Sequence, residues 1–303
     1  MTPFRAARIV AAVMTARRKV ILEAAINGAA RALQPTIPVS ENAIVSDALA
    51  CAAEGASVIH LHAYDGQGAA VEDADIYGRL IEKIRSRCEA VVYPTLALFG
   101  DLDARLKTIR ELSARALLEW GVVDPGSVNI AHRSQIAAGA DGFVYANPDA
   151  HLRALLADAE AKGWRPAYAI YEPGFARLGA AHAARFSRLR KPIYRVMFSD
   201  GLLFGLRPSP ENVTFYARHL GEEAPGSPWM VSGLDCSVEP IIAAAVEAGA
   251  HVRTGLEDAP FGCKETNAEL VAAARRRIEA AGAALATPTE TRAIAANADS
   301  LSA

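Results

Sequence analysis

Residues 55–62 read Gly-Ala-Ser-Val-Ile-His-Leu-His, and the fold is decided by how this stretch is bounded. A glycine closes the Ala-rich run before it, an apolar β-rich segment follows, and the segment ends in polar residues. The same unit recurs along the chain. Segments at about 20–26, 57–62, 90–95, 120–123, 167–171, 193–197, 228–232 and 250–255 predict eight strands, and the runs at about 41–54, 75–86, 103–118, 148–162, 174–189, 209–220, 238–248 and 266–281 predict a helix after each. Ser40 before Glu41, Ser209 before Pro210-Glu211, and Thr266 with Glu269 three residues on carry helix-start chemistry. Near-continuous apolar strands alternating with helices predict a parallel sheet covered by helices. Eight repeats suit closure into an α/β fold, a (β/α)₈ TIM barrel forming a single domain over residues 20–303. The alternative is an open doubly wound sheet, but no GxGxxG follows a strand.

Residues 1–19 carry Arg5, Arg8, Arg17, Arg18 and Lys19 with no acid and are expected to be an N-terminal extension. The apolar stretch from Ile9 to Met14 is too short for a signal-peptide core or a membrane span. With a net charge of −2 and basic residues spread along the chain, neither nucleic acid nor an anionic membrane is an expected partner, which leaves a small molecule. Cys51, Cys88, Cys236 and Cys263 form no CxxC motif and no disulfide framework, as suits the reducing cytoplasm.

The period of two along a strand puts His60 and His62 on one face at a C-terminal strand end. That pair is either half of a metal site or a hydrogen-bonded polar pair at the barrel mouth. The stretch Gly249-Ala250-His251-Val252-Arg253-Thr254-Gly255-Leu256-Glu257-Asp258 is an apolar strand ending in charge. In a closed barrel strand eight lies beside strand one, so Glu257 and the two histidines can converge on the top face. Two histidines and one carboxylate leave an open position, the ligand set of catalytic zinc. Without a metal, Arg253 with Glu257 and Asp258 reads as a salt-bridged strand end. In strand one the more apolar alternate set is expected to face the helices, which turns Glu23 and Asn27 into the barrel. A buried Glu23 needs a partner, either a core cation or a metal-bound imidazole. Glu172, after strand five, and Ser232, on strand seven, fall at the top face by position.

Several of these segments together resemble the β-keto acid cleavage enzymes, the family of 3-keto-5-aminohexanoate cleavage enzyme. They are Ile21–Gly28 (ILEAAING), the segment AAEGASVIHLH ending at His62, Gly126-Ser127-Val128-Asn129, GAHVRTGLED, Thr266–Val271, and Ala286-Thr287-Pro288 with Arg292. The resemblance runs from about Val20 to Arg292. It implies zinc or another divalent metal on His60, His62 and Glu257, with Arg253 and Asp258 serving proton transfer. It also implies acetyl-CoA as co-substrate, acetoacetate and a new acyl-CoA as products, and a homo-oligomer, tetramer or dimer. By the same matching Thr95 and Ser127 join Glu23, Asn27, Glu172 and Ser232 as expected substrate-binding residues.

The departures are specific. Ala63-Tyr64 stand where the family often has an arginine after its second histidine. Tyr93-Pro94-Thr95-Leu96 replace a serine-bearing STGG segment, Ala167 and Ala169 replace carboxylates on strand five, and Ala30 replaces a glutamate after strand one. Two other functions stay open: another metal-dependent barrel lyase or hydrolase, which would turn over without CoA, and a keto-acid-binding barrel without turnover.

Overall fold

In the first barrel strand, Leu22, Ala24 and Ile26 join the apolar shell while Glu23 points the other way, onto Tyr93 and Arg253. Alternation of this kind, repeated around the molecule, separates a dry layer between sheet and helices from a polar interior. The computed structural model describes residues 17–28 and 31–300. Its eight-stranded sheet comprises β1 (Leu22–Ala25), β2 (Val58–Leu61), β3 (Val91–Pro94), β4 (Trp120–Val122), β5 (Arg165–Ile170), β6 (Ile193–Phe198), β7 (Trp229–Gly233) and β8 (His251–Thr254). The order is β3-β2-β1-β8-β7-β6-β5-β4, and every pairing is parallel. The two end strands, β3 and β4, are neighbours, with the Tyr93 and Trp120 rings 6.1 Å apart across the seam, so the sheet is a nearly closed barrel.

Helices follow in the expected places: α1 (Glu41–Ala53), α2 (Ala74–Arg85), α3 (Leu102–Ala114), α4 (Asp149–Lys162), α5 (Pro173–Ala183), α6 (Pro210–Glu223), α7 (Ile242–Glu247) and α8 (Asn267–Ala280). Ser40 accepts from Ala43 N, Ser209 accepts from Asn212 N, and Thr266 with Glu269 forms a reciprocal capping box. None of the described helices is long and apolar enough to cross a membrane. Residues 1–16 of the expected N-terminal extension lie outside the described residues, as does Ala30. Arg18 and Lys19 are already part of the fold. The Arg18 guanidinium bonds the carbonyls of Gly249 and Ala250, and Lys19–Val20 pairs with Ala284–Leu285.

Two features were not foreseen from the sequence. An antiparallel hairpin, Val128–Ile130 with Phe143–Tyr145, rises between β4 and α4. It sits over a small apolar cluster that includes Ala169, Met197 and Phe204. Three-residue strands are too short to show a period, which is why this hairpin was missed. Beyond α8 a further helix, α9 (Pro288–Ser300), covers the N-terminal end of the barrel. Thr291 bonds Ser57 at 2.7 Å, Arg292 pairs with Glu119 at 2.7 Å, and Arg165 donates to the Ala295 carbonyl at 2.8 Å; all three partners stand at or just before the starts of strands.

His251 opens β8, and its Nδ1 accepts the Ile21 N–H at 3.1 Å. Burial, with a smaller contribution from Arg18, pushes this imidazole down to about 3 from 6.5. Between those values the unfolded chain binds a proton that the folded chain refuses, so its contribution is complete above about pH 6.5 and is lost as pH falls. By about pH 4 the loss is on the order of 3 kcal/mol. Urea unfolding at neutral and acidic pH should therefore show His251→Gln to be less acid-sensitive than the wild type; equal pH slopes would remove His251 as a source of acid lability.

Candidate active site

The C-terminal strand ends converge on one cluster. His60 is in β2, His62 follows it, and Glu257 lies just past β8. His60 Nε2 is 3.5 Å from one Glu257 carboxylate oxygen and His62 Nε2 is 3.6 Å from the other, with all three potential ligand atoms within 4.8 Å of one another. The imidazole rings stand nearly perpendicular, at 84°. Burial drives the His60 imidazole down to about 3, and it lowers His62 as well, so both are neutral and have lone pairs to offer. Burial alone would raise Glu257, but the Arg253 guanidinium and the hydrogen-bonding contact with His60 outweigh it and hold this carboxylate well below its ordinary range.

A divalent cation fits these residues on three grounds. His62 Nε2, which faces Glu257, is buried with no hydrogen-bond partner. A Cβ built on Gly28 would lie 2.3 Å from Glu257 Cδ and 2.5 Å from His62 Nε2, so only glycine keeps the cradle clear. Around the barrel axis the carboxylates of Glu23, Asp124, Glu257 and Asp258 face the guanidiniums of Arg195 and Arg253, a surplus of two negative charges that one dication would balance.

Arg253, 1% exposed, ties the site together. Its Nε donates to both Asp258 oxygens at 3.1 and 3.0 Å, Nη1 to Glu23 at 3.1 Å, and Nη2 to Glu257 at 2.7 Å and Asp258 at 2.8 Å. Asp258 also accepts the Gly233 N–H at 3.3 Å. Burial pushes Asp258 up to about 6 although Arg253 pulls it down. Glu23 accepts the Tyr93 hydroxyl at 2.5 Å, while its second oxygen is unpartnered. The Tyr93 ring lies 4.7 Å from that of His60.

The remaining expected residues are placed as follows. Thr95 lines the mouth beside His62. Ser232 is buried in β7, in register with Met197, with an unpartnered hydroxyl. Asn27 is buried, but its side chain is engaged by the chain itself: it donates to the Pro38 and His62 carbonyls and accepts the His62 N–H at 2.8 Å, which fixes the backbone that presents His62. Ser127 is exposed and accepts the Asn147 N–H at 2.8 Å. Glu172 accepts the Gly205 N–H at 3.0 Å, pinning the loop after β6.

Sequence reasoning missed Asp124 and Arg195, which with His60, His62, Tyr171 and Glu257 line a cavity of about 150 Å³. The signal was available, since Arg195 interrupts the apolar run Ile193–Phe198 and a charge inside a fully buried strand needs a purpose. A groove of about 670 Å³ along Thr95, Leu98, Phe99 and Phe143 leads past Gly28 and His62.

The family model described as beta-keto acid cleavage enzyme matches residues 19–296. The chain is 28% identical to the 3,5-dioxohexanoate:acetyl-CoA acetone transferase of Paraburkholderia graminis, over 92% of this chain and 96% of that protein. It is 27% identical to the 3-keto-5-aminohexanoate cleavage enzyme of Fusobacterium nucleatum, over 91% of this chain and 97% of that one. Among solved structures, apo ObcA superposes with a TM-score of 0.68 at 17% identity, covering 86% of this chain and 66% of ObcA, a likeness of fold.

Purified protein should carry about one divalent ion per chain, and His60→Ala or Glu257→Ala should lose it, because two remaining ligands hold a metal poorly. Elemental analysis checks this, and full occupancy in either variant would refute the ligand assignment.

Proposed function

Because the chain belongs to the beta-keto acid cleavage enzyme family, we propose that it condenses a β-keto acid with acetyl-CoA to give acetoacetate and a new acyl-CoA. The observation that carries this reading is the single buried cluster of His60, His62, Glu257, Arg253 and Asp258 at the C-terminal end of the barrel, where (β/α)₈ enzymes work. We assign His60, His62 and Glu257 to a divalent metal, zinc by the chemistry of the donors. When bound, such an ion polarises the 3-oxo group of the keto acid as a Lewis acid.

The chain's own residues supply the rest. Asp258 takes the proton from the carbon between the carboxylate and the 3-oxo group, which makes that carbon the nucleophile toward the thioester carbonyl of acetyl-CoA. Arg253 fixes the Asp258 carboxylate through both oxygens and restrains Glu257 with the same guanidinium. After condensation, the CoA thiolate expelled from the acetyl group attacks the distal acyl carbonyl, the bond from that carbonyl to the central carbon breaks, and the proton held by Asp258 returns to that carbon, so that acetoacetate leaves as acyl-CoA forms. Thr95 is assigned to the substrate cavity, and the fully buried Glu23 and Ser232 to the layer behind it, Glu23 through Arg253 and Ser232 beside Met197; Asn27, Ser127 and Glu172 are assigned to shaping the cavity through the backbone contacts they make. A homo-oligomer, dimer or tetramer, is favoured by exposed Phe99, Ile136, Phe143 and Val144, and a cytoplasmic location by four free thiols.

Asp258→Asn should keep its metal yet lose about two or more orders of magnitude in turnover of a β-keto acid with acetyl-CoA, the usual scale for a positioned base. Unchanged kcat would take Asp258 out of the mechanism, and cleavage that proceeds without CoA would point instead to another lyase or hydrolase. The tail should be uncharged or anionic and not aminated, since Ala167 and Ala169 offer no carboxylate to an ammonium. A kcat/KM about tenfold higher for 3-keto-5-aminohexanoate than for an uncharged 3-oxo acid of similar length would reverse that assignment.

A further inference from the structure

Arg195 sits inside the barrel at 3% exposure, yet its hydrogen bonding is poor for so deeply buried a guanidinium. Nη2 donates to the Ala167 carbonyl at 3.1 Å and reaches Asp124 only at 3.4 Å, Nη1 reaches the Tyr93 hydroxyl at 3.5 Å, and Nε has no partner. Arg253, in the same interior, makes contacts of 2.7 to 3.1 Å to three carboxylates. A buried donor without an acceptor is destabilising. Arg195 is among the residues lining the cavity that also contains His60, His62 and Glu257, where an entering molecule can supply its guanidinium with an acceptor.

The strand order identifies which part of that molecule. β6 lies four strands from β2 in either direction around the nearly closed barrel, so Arg195 faces the histidines across the cavity. The same cavity reaches Ala169 in β5 and Arg195 and Met197 in β6, so it offers a path to that wall for the tail of a keto acid whose 3-oxo end lies between His60, His62 and Glu257. In β5, Ala169 is in register with Arg195, and its methyl group leaves the guanidinium uncovered.

Charge identifies the acceptor. Asp124, as buried as Arg195, already supplies the counter-charge. Asp124 is itself satisfied by the Tyr145 hydroxyl and the Ala169 N–H, each at 2.9 Å. Arg195 therefore lacks a hydrogen-bond acceptor and not an anion. We propose that Arg195 determines tail specificity by donating to an uncharged oxygen, an oxo or hydroxyl group on the carbons beyond the 3-oxo group of the substrate. This rests on the β-keto acid reading above and extends it. An ammonium tail is repelled by the guanidinium, a carboxylate tail adds a charge that Asp124 opposes, and an alkyl tail offers the guanidinium no acceptor.

The test compares 3,5-dioxohexanoate, 3-oxohexanoate and 3-oxoadipate, both by calorimetric binding and by kcat/KM with acetyl-CoA. The enzymes are the metal-loaded wild type, Arg195→Lys, Arg195→Met, and Arg195→Met combined with Asp124→Asn. The double variant guards against Asp124 unfolding the barrel once it is left unpaired. The wild type should favour the dioxo acid over 3-oxohexanoate by about a hundredfold or more, because a site that hydrogen-bonds a substrate oxygen rejects the analogue that lacks it. That ratio should fall toward one in both Met variants and be intermediate in Arg195→Lys, which keeps the charge but loses the fork. Because the intrinsic reactivity of each acid is common to every variant, the change in ratio is the readout. A wild-type ratio near one, a preference for 3-oxoadipate, or a ratio that survives in the folded Met variants overturns the assignment. Discrimination in binding without turnover upholds Arg195 and removes the acetyl-CoA reaction, whereas turnover without discrimination does the reverse.

Discussion

The site depends on one buried cation. Arg253 has almost no solvent contact, so its charge must be met within the barrel, and it is met by Glu23, Glu257 and Asp258 together. The consequence is geometric. A planar guanidinium that engages three carboxylates from two adjoining strands leaves each of them little freedom. Glu257 is thereby held opposite the histidines, and Asp258 is held with both oxygens occupied.

The barrel converts this pairing into a site by bringing distant segments together. Glu23 and Arg253 are opposite one another in the β1–β8 register, and Ala25 and His60 are opposite in the β1–β2 register, so three strands present their polar faces to one volume. Asn27 then fixes the His62 backbone, and the missing side chain of Gly28 leaves the space between His62 and Glu257 open. At the other end α9 covers the strand starts through Arg165, Thr291 and Arg292, which leaves the C-terminal end as the accessible mouth.

The two halves of the cavity differ in how well their charges are satisfied. The Arg253 side is densely hydrogen-bonded, as the proton transfer proposed for Asp258 requires of a group that must not reorganise during reaction. The Arg195–Asp124 side is balanced in charge but short of acceptors, as suits a surface that reads a ligand. Small residues make the second half possible, for Ala169 opposite Arg195 leaves room that a carboxylate side chain would have filled.

The alternation of apolar runs with Ala-rich helices determined the eight strands, the parallel sheet and the barrel, because period and length are local properties of the chain. The spacing of His60 with His62, and of Arg253 with Glu257 and Asp258, placed each group on one face or at one strand end for the same reason. That the two groups meet was an inference from barrel closure, and the measured separations came only with the tertiary structure. Tertiary structure also decided that Asn27 serves the backbone, that Tyr93 caps Glu23, and that Arg195 faces the cavity beside Asp124. These are contacts between residues up to 71 positions apart in the chain, and no local pattern encodes them. A side chain's partner, unlike its face, depends on register and burial that exist only once the barrel has closed.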